Sequence, residues 1–148
     1  MEELTMEEII KYSVRVLQDS FLFYRRVSKR VGSDLKTLTD ELADRKAKQL
    51  RDLKNLLSDC IINNEDLGRT EDVETSPFDR FFENGNIPVH ATPRDILAIS
   101  LRRERILRET YDLILSLPLI NTRVSRVIGN LRMNSSEQMA SIENRLNG

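Results

Sequence analysis

Apolar residues recur along this chain in alternating steps of three and four, the period of helices that pack nearly parallel to their neighbours. The first run is Ile10, Val14, Leu17, Phe21, Tyr24, then Ser28 and Val31. It opens with Thr5-Met6-Glu7-Glu8, in which the Thr hydroxyl can accept from the third helical N–H while the Glu carboxylate reaches back. Gly32 ends it, and Ser33 or Asp34 can cap the next helix. The second run reads Leu35, Leu38, Leu42, Gln49, Leu53, Leu56 and Cys60, and its seam passes through Arg45 or Lys46, a charged step in an otherwise apolar stripe. A third run, Leu97, Ser100, Glu104, Leu107, Tyr111 and Ile114, follows the start signal Thr92-Pro93-Arg94-Asp95 and is closed by Pro118. The fourth follows an Asn121-Thr122 cap and reads Val124, Val127 or Ile128, Leu131, Ser135, Gln138 and Ile142.

These patterns predict helices over 5–31, 34–62, 93–117 and 121–146. Residues 63–92 form the connector, with breaks at Asn63-Asn64, Gly68, Asn84-Gly85 and Pro88 and an acidic run through Glu71, Asp72 and Glu74. Ser76-Pro77 followed by Phe78, Phe81 and Phe82 can start a short helix lying on the others. A connector this long suits a crossover running the length of the molecule. The expected fold is all-α: one domain over 1–148, made of a helix pair (5–62), the crossover (63–92) and a second pair (93–147), a four-helix bundle.

Composition narrows the functions on offer. With 39% hydrophobic and 32% charged residues the chain has the balance of amphipathic helices rather than of disorder. A formal net charge of -1 gives no global field toward nucleic acid or an anionic membrane. Cys60 is the single cysteine, which rules out an internal disulfide and a four-thiolate iron site. The acidic start Met1-Glu2-Glu3-Leu4-Thr5 has no apolar signal run, and no stretch is long enough to span a bilayer, so a cytoplasmic, soluble protein without membrane contact is expected.

The two halves repeat. Ser13, Leu17, Ser20 and Tyr24 fall on Ser100, Glu104, Leu107 and Tyr111 at a constant offset of 87, and Leu42, Lys46 and Gln49 fall on Leu131, Ser135 and Gln138 at an offset of 89. With Phe23-Tyr24 and Leu42-Ala43 in the first half and Tyr111 (after Thr110) in the second, the chain resembles the ferritin-like superfamily, and within it the rubrerythrin-related diiron-carboxylate proteins. That resemblance implies six ligand positions, which in this chain are Leu17, Lys46, Gln49, Glu104, Ser135 and Gln138. Two irons need about six carboxylate or imidazole ligands, and only Glu104 is of that kind. The sole histidine, His90, lies in the connector.

The expectation is therefore a degenerate site with no catalytic residue, no bound metal and no cofactor. Lys46 and Glu104, both at positions that would face the metals, should instead form a buried ion pair. Gln49 and Gln138 are expected to hydrogen-bond each other or the tyrosines, and Tyr24 and Tyr111 to be core aromatics whose hydroxyls need partners. Asp19, Asp44 and Glu137 point away from the seam and read as solvated charges, as do Arg102, Arg103 and Arg105 around Glu104. Cys60 reads as an ordinary small apolar residue. The cluster Arg25, Arg26, Lys29 and Arg30 suits a helix C-terminus as well as a phosphate-binding patch. The leading reading is a non-catalytic interaction or structural module, with an unidentified protein partner or a homodimer formed by helix faces or by Phe78, Phe81 and Phe82. The alternatives are an iron-binding rubrerythrin-like oxidoreductase with a rearranged site, and a small-ligand or nucleic-acid binder.

Overall fold

The structure, a computed structural model, describes residues 2–83, 85–118 and 120–148. Among these the protein is predominantly helical. Its order is β1 (Glu2–Thr5), α1 (Met6–Ser28), α2 (Ser33–Ile62), β2 (Thr70–Val73), α3 (Ser76–Glu83), α4 (Pro93–Leu115) and α5 (Thr122–Asn147). The four expected long helices and the short Ser76–Glu83 helix are present; Asn84, of the expected Asn84-Gly85 break, lies outside the described residues.

The capping chemistry sets the boundaries. Thr5 Oγ1 accepts from the Glu8 N–H at 3.1 Å and the Glu8 carboxylate accepts from the Thr5 N–H at 3.1 Å, a complete capping box. Thr92 and Asp95 make the same reciprocal pair ahead of α4, with Pro93 at its first position. Asn121 Oδ1 accepts from the Val124 N–H at 2.8 Å to start α5. The cap of α2 differs from expectation. It falls on Gly32, without a side-chain bond, rather than on Ser33 or Asp34. α1 ends at Ser28 and α4 at Leu115, each short of the expected boundary by a few residues.

The burial pattern bears out three stripes and shifts the fourth. In α2, α4 and α5 the expected seam residues are buried, with Lys46 rather than Arg45 taking the charged step and Ile128 rather than Val127 in α5. In α1, Val14, Phe21 and Val31 are only half-buried, and the buried line runs through Ile10, Ser13, Leu17, Ser20, Tyr24 and Val27. Ser13 and Ser20 are small enough to let the neighbouring helix approach, and the Ser13 hydroxyl is satisfied by its own helix at the Ile9 carbonyl, 3.0 Å away.

A two-stranded sheet is the feature the pattern does not predict. β1 pairs antiparallel with β2, Glu2 opposite Val73 and Thr5 opposite Thr70. Leu4 and Val73 turn inward while their neighbours stay in water, so four residues per strand suffice to tie the chain start to the connector.

The apolar core is in two parts. One cluster gathers the start of α1 (Ile9, Ile10, Leu17), the end of α2 (Leu53, Leu56), the end of α4 (Leu107, Ile114) and the start of α5 (Val124, Ile128). The other gathers the opposite ends, with Phe23, Val27, Leu35, Leu42, Leu97 and Ile142. The long helices therefore alternate in direction, α1 antiparallel to α2 and to α4, and α5 antiparallel to α4. Between the clusters lies a buried layer of polar side chains.

Candidate functional site

That polar layer centres on Glu104. The Lys46 ammonium, carried by the charged step of the α2 seam, straddles its carboxylate, 2.9 Å from Oε1 and 3.0 Å from Oε2. Both side chains are within 1% of complete burial. The Tyr24 hydroxyl donates to Oε1 at 2.8 Å from α1, and the Ser135 hydroxyl donates to Oε2 at 3.1 Å from α5. One carboxylate on α4 thus receives a donor from each of the other three long helices, and its lone pairs are fully used.

Electrostatics follow from burial. The Tyr24 hydroxyl is held well above its ordinary pKa, first by desolvation and then by the Glu104 charge beside it. Desolvation pushes the Lys46 ammonium below its usual range, and the attraction of Glu104 offsets part of that. Tyr111 is also raised well above its ordinary value by burial and by Glu104.

The repeat explains what the layer leaves unpaired. Tyr24 and Glu104 correspond, one half on, to Tyr111 and Leu17. Tyr24 finds the Glu104 carboxylate; Tyr111 faces a half in which the matching position is Leu17, and its buried hydroxyl has no hydrogen-bond partner. The two glutamines depart from expectation. Gln49 Oε1 and both amide atoms of Gln138 are buried without partners, so they bond neither each other nor a tyrosine. In the second layer position of each half, Lys46 and Ser135 both bond Glu104.

No family model, curated protein or solved structure matches this chain. The layer must therefore be judged on its own donors. Of Leu17, Lys46, Gln49, Glu104, Ser135 and Gln138, one is a carboxylate, and an ammonium already sits across its two oxygens, where a chelated cation would sit. Among the described residues no three His, Cys, Asp or Glu side chains converge to hold a metal ion. Asp44 and Glu137 are exposed, as expected, and His90 is exposed in the connector. The residues present do not fit a pair of irons.

Two expected surface charges prove to be structural. Arg103 is 1% exposed, not solvated like Arg102 and Arg105. Its guanidinium lies 4.3 Å from the centre of the Phe23 ring and 4.2 Å from that of Phe81, reaches Asp19 Oδ2 at 2.6 Å, and donates to the Phe81 carbonyl at 3.4 Å. Asp19 is accordingly an ion-pair partner rather than a free surface carboxylate. The signal was available at helical spacing: Asp19 and Phe23 are four apart on one face of α1, a surface onto which a flat cation from α4 can lie. The run of arginines around Glu104 concealed which of them turns inward.

The remaining candidates are quickly placed. Phe78 and Phe81 are buried against this chain's own helices and Phe82 is 43% exposed, so the three rings do not form the apolar surface on which a dimer was expected. Cys60 is buried, and burial, followed by a hydrogen bond with Glu65, pushes its thiol up to about 12, which leaves it unreactive. In the basic cluster, Arg30 donates to the Pro88 and Val89 carbonyls at 2.8 and 3.2 Å and so holds the connector, while Arg25, Arg26 and Lys29 stay exposed. Among the described residues no helix is long and apolar enough to cross a membrane.

Proposed function

We propose that this chain is a ferritin-like four-helix bundle, related to the rubrerythrin-type diiron proteins, whose metal layer has become a structural ion pair, and that it acts without catalysis as an interaction or structural module. The observation that carries this reading is the Lys46 ammonium bridging both oxygens of Glu104. In a diiron site that carboxylate would be spent on a cation of higher charge; here every lone pair of Glu104 is taken by side chains of the protein itself. The offset repeat and the orphaned hydroxyl of Tyr111 opposite Leu17 support descent from a layer that once carried a carboxylate in each half. A rearranged iron site has little to draw on, because Asp19 is tied to Arg103 and the other nearby carboxylates face water.

Elemental analysis of protein purified without chelators tests the reading, together with an absorption spectrum after addition of ferrous iron and oxygen. The expected result is no stoichiometric iron, zinc or manganese, no oxo-bridged band and no ferroxidase turnover. Stoichiometric metal lost on Glu104→Gln would overturn it.

A further inference from the structure

The outer side of the first helix pair carries a groove that the fold leaves open. At one end, Val14, Leu57 and Ile61 form an aliphatic floor of a cavity of about 610 Å³, and Lys11, Arg15 and Lys54 stand on its rim. At the other end the same two helices contribute Arg25, Lys29 and Lys36, with Asp40 and Asp44. The spacing makes these one surface. Lys11, Gln18 and Arg25 are seven apart on α1, and Lys36, Ala43, Leu50 and Leu57 are seven apart on α2, so each set follows a single face of its helix.

Charge is segregated onto this groove. Its two ends hold six cations against two carboxylates, in a chain whose formal net charge is -1. Asp40 is already paired with Lys36 at 3.0 Å. Lys11 has only a loose contact with Glu7 at 3.9 Å, and Arg15 lies over the Tyr12 ring; exposed contacts of this kind are weak and yield readily to a better-placed anion. Ile61 is 56% exposed at the end of the floor.

We propose that this groove docks an acidic amphipathic helix of a partner protein, whose apolar stripe lies on Val14, Leu57 and Ile61 and whose carboxylates meet Lys11, Arg15 and Lys54. A trough between two antiparallel helices packed side by side has the width and direction of a third. A second copy of this chain, paired face to face, would bring like charges together. Nucleic acid would gain from the cations but nothing from an aliphatic floor, since bases bind on aromatic rings. The inference names the surface for the interaction role proposed above and rests on that reading, which the metal analysis tests separately.

The probe is a fluorescent peptide of about 20 residues, enough for a helix of about 30 Å, with Leu at helical spacing and Glu elsewhere; its control has Lys in place of every Glu. Anisotropy with the full chain is expected to show saturable binding of the acidic peptide. The Lys peptide should bind at least about tenfold more weakly, a difference of roughly 1.4 kcal/mol. Ile61→Asp and Lys54→Glu should each weaken the acidic peptide by a similar factor, with circular dichroism unchanged because both positions face water. Higher salt should weaken binding to the wild type more than to Lys54→Glu. Failure of the acidic peptide to bind, equal binding of the acidic and Lys peptides, or binding of the acidic peptide by either variant as tight as by the wild type would overturn the proposal. So would sedimentation showing a dimer dispersed by Ile61→Asp, or binding of a single-stranded RNA lost in Lys54→Glu and kept in Ile61→Asp.

Discussion

Glu104 accepts from Lys46, Tyr24 and Ser135 in a space from which water is excluded, so each donor's worth depends on what its removal strands. Lys46→Met leaves a buried carboxylate with two neutral donors and no counter-charge. That should cost roughly 3–5 kcal/mol, or force Glu104 to take up a proton. Adding Glu104→Leu should recover much of the loss but not all, because Tyr24 then loses its acceptor. A urea denaturation cycle over the four proteins measures this; small, additive single effects would contradict a coupled pair. The repeat gives a sharper contrast. Tyr24→Phe removes a hydrogen bond to a charged group and should cost about 1.5–3 kcal/mol. Tyr111→Phe removes a hydroxyl that already lacks a partner, and should be neutral or stabilising in the same measurement. Residue by residue, the pair was expected because Lys46 and Glu104 each stand at a seam position of their helix, and the resemblance to the diiron proteins implies that both positions face the same metals. The failed pairing of Gln49 and Gln138 was not legible, since whether two amides meet depends on ångström-scale placement of the helices that carry them.

At the scale of elements, the long helices were legible because period, caps and breakers agree. What holds the connector to them was not. α3 is fastened by Arg103, whose guanidinium is pressed between Phe23 of α1 and Phe81 of α3 and tied to Asp19. Arg80 of α3 pairs with Glu109 of α4 on the surface, but an exposed pair adds little. Beside the burial of Phe78 and Phe81, the buried cation is thus the stronger of the two ionic fastenings. Arg103→Ala should cost roughly 3 kcal/mol through lost packing and ring contacts. It should also free α3 before the rest unfolds: amide exchange over Ser76–Glu83 should quicken, while the middle of α2 keeps its protection. Equal quickening throughout would show that Arg103 supports the whole core rather than the connector. The sheet escaped the sequence pattern for a related reason. β1 and β2 are each four residues long and distant in the chain, and only their pairing, which buries Leu4 and Val73, distinguishes them from loop.

For the molecule as a whole, a polar layer set between two apolar clusters makes folding sensitive to alkali. Three buried groups must stay neutral in the folded protein. The Cys60 thiol is pushed up to about 12, and the Tyr24 and Tyr111 hydroxyls are raised well above their usual value, all three by burial first. In the unfolded chain the thiol ionises near pH 8.5 and the phenols near pH 10, by ordinary values. Above those points the unfolded state binds fewer protons than the folded one, so stability falls as pH rises, by about 1.4 kcal/mol per pH unit for each such group. Lys46 acts with the opposite sign. Its pKa is lowered in the folded state, so over the interval up to the unfolded value of about 10.4 the unfolded chain binds more protons and stability rises with pH. Lys46 therefore opposes the thiol and the phenols below that value and no longer does so above it. Urea denaturation followed across the alkaline range should therefore show a shallow slope that steepens above about pH 10. Cys60→Ala should remove the part that begins at about pH 8.5, and Tyr111→Phe should reduce the steep part without lowering stability at neutral pH. A profile left unchanged by Tyr111→Phe would mean that its hydroxyl reaches water, and that the layer around Glu104 is open on that side.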